Sequence, residues 1–230
     1  MIEKIIYLGA SGFPEVSEVV RRINAVELRY EIAGILDDDA SYHGGEVEGV
    51  PVLGNLERVV DFPNARFIFG IGTHRSRLLR YEILQRLGVP AARYLTLIDP
   101  SAHVYKYADV GHGAIIHSGS TVLCGAKICN FSVVGWNAIV TKDVIIGEGA
   151  MTGPSVTILP NARLGAYSFV GGAASISEGV TIGPGAMVGA CTFVHRDVSS
   201  GDFIVGTPPR LLASETVPND ILQVWRMEGG

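Results

Sequence analysis

The sequence predicts two unlike halves: an α/β unit around a short parallel sheet, then a solenoid of very short parallel strands. Three observations carry this. Strand-like and helix-like apolar patterns alternate over residues 1–97, and from residue 98 the aliphatic residues recur every six positions without a break. Glycine is also abundant, at 29 of 230 residues, against roughly 7% in average proteins. A chain this rich in glycine, yet 47% hydrophobic, turns often while still filling a core.

In the first half, residues 4–8 (KIIYL) read as a short buried strand followed by the turn Gly9-Ala10-Ser11-Gly12. Residues 15–23 carry Val16, Val19, Val20 and Ile23 at helical spacing, and Pro14 suits a first helical turn, where a missing N–H costs nothing. Residues 30–36 (YEIAGIL) form a second strand ending in Asp37-Asp38-Asp39, residues 66–71 (RFIFGI) a third, and residues 76–87 a second helix. Strands alternating with helices imply a parallel sheet.

In the second half, stepping by six from Val104 to Val194 meets sixteen positions, of which only Thr152 is not aliphatic. Two residues before each stands Ala, Ser, Val or Thr, and in eight cases the residue after it is glycine. A period of six demands a solenoid: each unit makes one strand and one corner, and three units close a triangular coil of 18 residues. This is the hexapeptide-repeat signature of a left-handed parallel β-helix, with the aliphatic residue pointing inward, the small residue near the corner and glycine easing the turn. The repeat stops at His195-Arg196-Asp197-Val198; the polar last residues, with a weak helical pattern around Ile221, Leu222 and Trp225, read as a tail or short packing helix. The expected organisation is 1–97, 98–212 and 213–230.

Composition excludes some functions. A net charge of −5 gives no electrostatic case for binding nucleic acid or an anionic membrane. Cys124, Cys129 and Cys191 cannot all pair internally, and none sits in a CxxC. The apolar run before Gly9 is too short for a signal-peptide core, and no stretch of 18 apolar residues occurs, so the expectation is a cytoplasmic protein with reduced thiols and no membrane insertion.

The stretches YLGASG (7–12), ILDDD (35–39), VEGVPVLG (47–54), GIG followed closely by Arg (70–77) and the closing VGTPPR (205–210), joined to an uninterrupted hexad repeat, resemble the sugar acetyltransferases of the sialic-acid O-acetyltransferase and bacillosamine N-acetyltransferase type. The resemblance implies a nucleotide-sugar-binding first domain and a β-helical acyltransferase domain. It further implies acetyl-CoA as co-substrate, an amino sugar on a nucleotide diphosphate as acceptor, and a homotrimer with active sites between neighbouring β-helices. By the same resemblance the substrate residues are Gly9, Ser11, Gly12, Phe13, Asp37, Asp38, Gly72 and Thr73, and the CoA residues Met151, Gly172 and Ala190. The family's catalytic histidine and following acid fall on Lys142 and Asp143. Physics supports parts of this. Backbone N–H groups of residues 9–12 at a helix start suit a diphosphate, and acids at a strand's carboxyl end suit ribose or base hydroxyl and N–H donors. GASG is equally a tight βα turn.

Lysine for histidine changes the chemistry expected. A free lysine near pKa 10.4 is more than about 99.9% protonated at pH 7 and is a poor base. An amino-sugar amine with pKa about 8 is roughly one-tenth neutral at pH 7 and attacks a thioester without one, whereas a hydroxyl does not. The substitution therefore favours N-acetyl over O-acetyl transfer, or a non-catalytic nucleotide-sugar-binding paralogue. Lys142 is equally a phosphate contact or a solvated corner lysine. His195 lies beside the Lys142 column but three coils away, about 14 Å. His112 and His117 fall on other columns, so each serves only from a neighbouring subunit and otherwise reads as a surface residue. His112-Gly-Ala-Ile-Ile-His117 also resembles part of the zinc site of γ-class carbonic anhydrases, but a third histidine at suitable spacing is missing, and no metal is expected.

Overall fold

The computed structural model describes residues 2–227. The first half comprises β1 (Glu3–Leu8), α1 (Phe13–Val26), β2 (Tyr30–Leu36), β3 (Glu46–Val47), β4 (Val50–Gly54), β5 (Arg66–Phe69) and α2 (Arg77–Leu87). The strands lie in the order β3-β4-β2-β1-β5, parallel except for the β3–β4 hairpin, an addition too short for its periodicity to stand out. Helix α1 forms because Phe13, Val16, Val19 and Val20 share one face, with Pro14 in the first turn, and it buries that face against Ile5, Tyr7, Ile35 and Ile68. Strand β5 stops two residues earlier than its pattern suggests. A side chain on Gly70 would run into the Tyr7 hydroxyl, and Gly72 takes a φ of +110°, so this short stretch turns away from the sheet.

The second half is a left-handed parallel β-helix of two-residue strands in three faces. The first face runs through Leu97–Ile98, Ile115–Ile116, Val133–Val134, Met151–Thr152, Phe169–Val170, Met187–Val188 and Asp202–Val205, and Arg210–Ser214 closes it antiparallel. Coiling thus begins at Ile98, one hexad before Val104. The second face holds Thr121–Val122, Ile139–Val140 and Thr157–Ile158, the third Lys127–Ile128, Ile145–Ile146 and Arg163–Leu164, and each continues with strands 18 residues apart. From Ile116 onward the inward ladder is buried, and alanines two residues earlier (Ala114, Ala138, Ala150, Ala162) are buried with it, while Ile98, Val104 and Val110 at the open first coil are only partly covered. Thr152, the one polar rung, keeps its place because its Oγ1 accepts the Gly135 N–H at 2.9 Å.

The corners correct one expectation. The left-handed residue of each corner is the third after the aliphatic rung, at 113, 119, 125, 131, 137, 143 and onward to 191. The glycines directly after the rung serve another purpose. A Cβ on Gly153 would lie 2.6 Å from the Gly172 nitrogen, and one on Gly171 equally close to the Ala190 nitrogen. Those glycines let successive coils stack; they do not make the turn.

The first half sits on the outward residues of the first face. Ile115 joins the apolar cluster of Ile5, Tyr7 and Ile68, and Phe131 joins that of Phe67, Phe69 and Tyr94. Two arginines of α2 fasten the contact. Arg77 donates to the Gly185 carbonyl at 2.6 Å and pairs with Glu215, and Arg80 donates to the Ile71 and Phe131 carbonyls at 2.6 and 2.7 Å. Burial pulls both guanidinium groups down to about 10, so they remain charged at neutral pH. Arg22 of α1 meets Asp99 at 2.7 Å. A third helix, α3 (Asn219–Met227), lies along the side of the coil and packs Ile221 and Trp225 on Ala166 and Tyr167, with Leu78 and Tyr81 of α2 against the same cluster. Among the described residues no helix is long and apolar enough to cross a membrane.

The inward ladder carries the coil. Leu164→Ala, at a rung with no exposed surface, is expected to cost about 2–5 kcal/mol in urea unfolding.

Candidate active site

The parallel sheet reverses its winding between β1 and β5, and ligands of open α/β sheets bind outside the carboxyl ends of the strands at such a switch point. The loops leaving these strands are residues 9–12 and 70–76, and they pack on each other closely. A Cβ on Gly12 would lie 2.5 Å from the Gly70 carbonyl oxygen, a Cβ on Gly9 would lie 2.7 Å from the Ile71 side chain, and the Tyr7 hydroxyl donates to the Gly12 carbonyl at 3.0 Å. Burial pushes the Tyr7 phenol far above its ordinary range, which keeps it a donor. Of the residues singled out from sequence, Gly9, Ser11, Gly12, Gly72 and Thr73 are therefore brought together.

Their neighbours are already committed. The Gly9 N–H donates to the Leu36 carbonyl at 2.9 Å, the Ala10 N–H to Asp37 Oδ2 at 2.6 Å, and the Phe13 N–H to the Ala10 carbonyl, so these three donors of the turn are spent within the protein. Asp37 Oδ1 accepts the Asp39 N–H at 2.8 Å. Asp38 accepts the Leu56 N–H at 3.0 Å and pairs with Arg86. Both carboxylates thus hold loops in place. The Phe13 side chain is a core group, buried edge-on against Tyr7 with ring centroids 5.0 Å apart, and it faces away from solvent. Thr73 donates its N–H to Ser76 Oγ at 2.9 Å and lies at the exposed rim.

From the switch point a cleft of about 90 Å³, room for about three waters, runs down to the β-helix between Gly12, Glu15, Gly72, Arg80, His117 and Met151. It joins residues expected for substrate to one expected for CoA. His117 is the residue the sequence missed. Expected at the surface, it is only 3% exposed, because the first half covers its corner of the coil. Its ring stacks on Trp136 at 4.1 Å, and its Nδ1 is buried without a hydrogen-bond partner. Burial, opposed by the carboxylate of Asp99, brings the imidazole down to about 4.

Gly172 and Ala190 lie two and three coils beyond Trp136 in one edge column, with Pro154 between, so from Trp136 to Ala190 this column carries no side chain larger than Pro154. Lys142 and Asp143 lie elsewhere, at the edge between the second and third faces. The Lys142 side chain is 65% exposed, with Nζ 3.3 Å from Asp143 Oδ2. Asp143 occupies a left-handed corner position, a conformation Asp adopts more readily than most residues. Within one chain these two do not meet the cleft. His112 and His195 are exposed, and His195 stacks on Phe193 at 5.9 Å. Among the described residues no three His, Cys, Asp or Glu groups converge to hold a metal ion.

The depressed His117 value has a consequence for stability. The unfolded imidazole titrates near 6.5 and the folded one near 4, so the unfolded chain takes the proton first. The contribution of His117 is complete above pH 6.5 and is lost as pH falls toward 4, by about 3 kcal/mol in all. Chemical denaturation of wild type and His117→Phe over this interval is expected to show the variant's stability falling less steeply.

Residues 4–84 match the family model of the PglD N-terminal domain. Over 103 residues, 43% of the chain, the sequence is 30% identical to the UDP-N-acetylbacillosamine N-acetyltransferase of Bacillus subtilis (strain 168), and the match spans 45% of that protein's length. The fold is similar to the acetyltransferase domain of PglB from Neisseria gonorrhoeae FA1090, with 26% identity, 91% of this chain and 100% of that one covered, and a TM-score of 0.77. It is equally similar to PerB from Caulobacter crescentus, solved with CoA and GDP-perosamine, at 25% identity, 93% and 99% coverage and a TM-score of 0.77. Across both halves, then, the chain is similar to the hexapeptide-repeat sugar acetyltransferases, with a first half of the PglD type.

Proposed function

We propose that the chain is an acetyl-CoA-dependent N-acetyltransferase acting on an amino sugar carried on a nucleoside diphosphate, in surface-polysaccharide or glycan synthesis. One observation carries this reading above the others: a single cleft runs from the switch-point loops of the nucleotide-binding-like half to Met151 on the β-helix. The similarity to N-acetyltransferases over both halves supports it, including PerB, which was solved with CoA and a nucleotide-linked amino sugar. In this proposal residues 1–97 bind the nucleotide sugar through Gly9, Ser11, Gly12, Gly72 and Thr73, with Asp37, Asp38 and Phe13 shaping the loops. Residues 98–212 carry acetyl-CoA along Met151, Gly172 and Ala190, and in the tail, 213–230, helix α3 braces the coil.

The reaction follows from what the groups can do. The neutral amine attacks the thioester carbonyl carbon, the C–N bond forms, the C–S bond breaks, and CoA leaves as the thiol with the proton shed by nitrogen. In this reading Lys142, exposed and 3.3 Å from the Asp143 carboxylate, contributes an ammonium group at its edge and is not the base. In a homotrimer the edge bearing Lys142 and Asp143 would approach a neighbour's CoA column. Ile139 and Phe193, each 44% exposed on the second face, offer apolar surface for that contact. With three free cysteines and acetyl-CoA as donor, the setting proposed is cytoplasmic.

Incubation with acetyl-CoA and a panel of UDP-, GDP- and dTDP-linked amino sugars, following free thiol, tests the reading. Thiol release with an amine, and at least about 10²-fold less with the matching hydroxyl sugar, is expected. CoA binding without release for any amine would make the chain a non-catalytic paralogue. Lys142→Ala is expected to lower thiol release by no more than about 10-fold, well short of the loss on removing a general base. Sedimentation is expected to give three times the chain mass of 24.5 kDa.

A further inference from the structure

We propose that His117 is the catalytic proton acceptor of this chain, its imidazole taking the proton that the sugar nitrogen sheds as it is acylated. The inference rests on the N-acetyltransferase reading above and adds the group that handles the proton.

A buried polar nitrogen without a partner is destabilising, and phenylalanine or leucine would stack on Trp136 without that penalty. The ring is nevertheless a histidine, 97% of its surface is covered, and the unpartnered Nδ1 belongs to a side chain that lines the cleft. Packing explains the ring; it does not explain the nitrogen.

Positions 135, 153, 171 and 189, which follow His117 at intervals of 18, are all glycine, so along the cleft side of this row the ring stands clear of side chains in the next four coils, with Asp99 one coil behind it. Met151 lies two coils from the strand preceding His117, roughly 10 Å along the axis, and both residues line the same cleft with Gly12 and Gly72. An amine held by the switch-point loops and a thioester brought up along Met151 would meet in front of this ring.

The other charged or titratable groups facing His117 are Arg80 and Glu15 along the cleft and Asp99 behind it. Arg80 is committed to the Ile71 and Phe131 carbonyls and cannot accept a proton, and Asp99 is committed to Arg22 and Ser101. Glu15 sits at the exposed end, where its charge suits attraction of an ammonium group. The imidazole stays neutral through the physiological range, so one ring nitrogen carries no proton and can accept one. The acceptor need not be a strong base, because the nitrogen it relieves is the positively charged one of the tetrahedral adduct. That N–H proton passes to the imidazole, the C–S bond breaks, and the thiolate recovers the proton from the imidazolium. The products are the amide and the free thiol, with His117 restored.

His117→Phe keeps the stacked ring and removes the acceptor; His117→Asn keeps an acceptor but cannot hold a proton. Steady-state assays with the amino-sugar panel are expected to show kcat lowered about 10²–10⁴-fold in both variants, with the KM for acetyl-CoA within about 3-fold of wild type. If His117→Phe fails to fold, as judged by circular dichroism and CoA binding, His117→Asn decides. A folded variant retaining kcat within about 3-fold of an active wild type would overturn the role of His117 alone. Wild type that binds CoA but turns over no member of the panel would remove the N-acetyltransferase reading, and this role with it.

Discussion

Stacking at the coil edges governs this molecule. Coils of 18 residues lie one above another at the spacing of β-strands, and at two of the three edges, first-to-second and third-to-first, one backbone passes within contact distance of the next. The glycines after the rungs exist for that reason: a Cβ on Gly135 would meet the backbone of residues 152 and 153, and one on Gly183 the Ser200 nitrogen at 2.5 Å. Because the edges carry so little side chain, the stack leaves bare backbone beside Gly172 and Ala190, where the proposed pantetheine arm would lie. Packing and the proposed binding surface share one cause.

A rod of stacked coils has no enclosed site of its own. The first half supplies one by covering the upper part of the first face. Apolar contact through Ile115 and Phe131 positions it, while the buried arginines of α2 tie it to carbonyls on both sides of the junction. Those arginines have exchanged water for fixed carbonyl dipoles, so the junction tolerates little sliding. The switch-point loops are thereby held over His117 and Met151, and a loop packing decided by Gly12 and Gly70 becomes one wall of a cleft.

The fold was legible in the sequence because a six-residue period has one structural solution, and because α1 and β2 show their buried faces in their spacing. The proposed CoA residues rest on the family resemblance instead: the 18-residue period aligns Gly172 with Ala190 but not with Met151. Other features were not. Asp37 and Asp38 look like free acids at a strand end, yet their oxygens serve Ala10, Asp39, Leu56 and Arg86, partners that only the folded loops bring near. Phe13 stands in a loop motif but turns into the core against Tyr7. His117 reads as a surface corner residue because nothing local reveals that another part of the chain lies over it. Lys142 and Asp143 are legible as an odd pair, but their distance from the cleft within one chain depends on which edge of the triangle they occupy.

A structure with CoA and a nucleotide-linked amino sugar both bound would test most directly whether the two halves share one reaction centre. The arrangement described here places the pantetheine sulfur beside Met151 and the sugar nitrogen between the switch-point loops and His117. Finding the sulfur and the sugar on opposite sides of the first half, or the nucleotide away from the loops after β1 and β5, would contradict it.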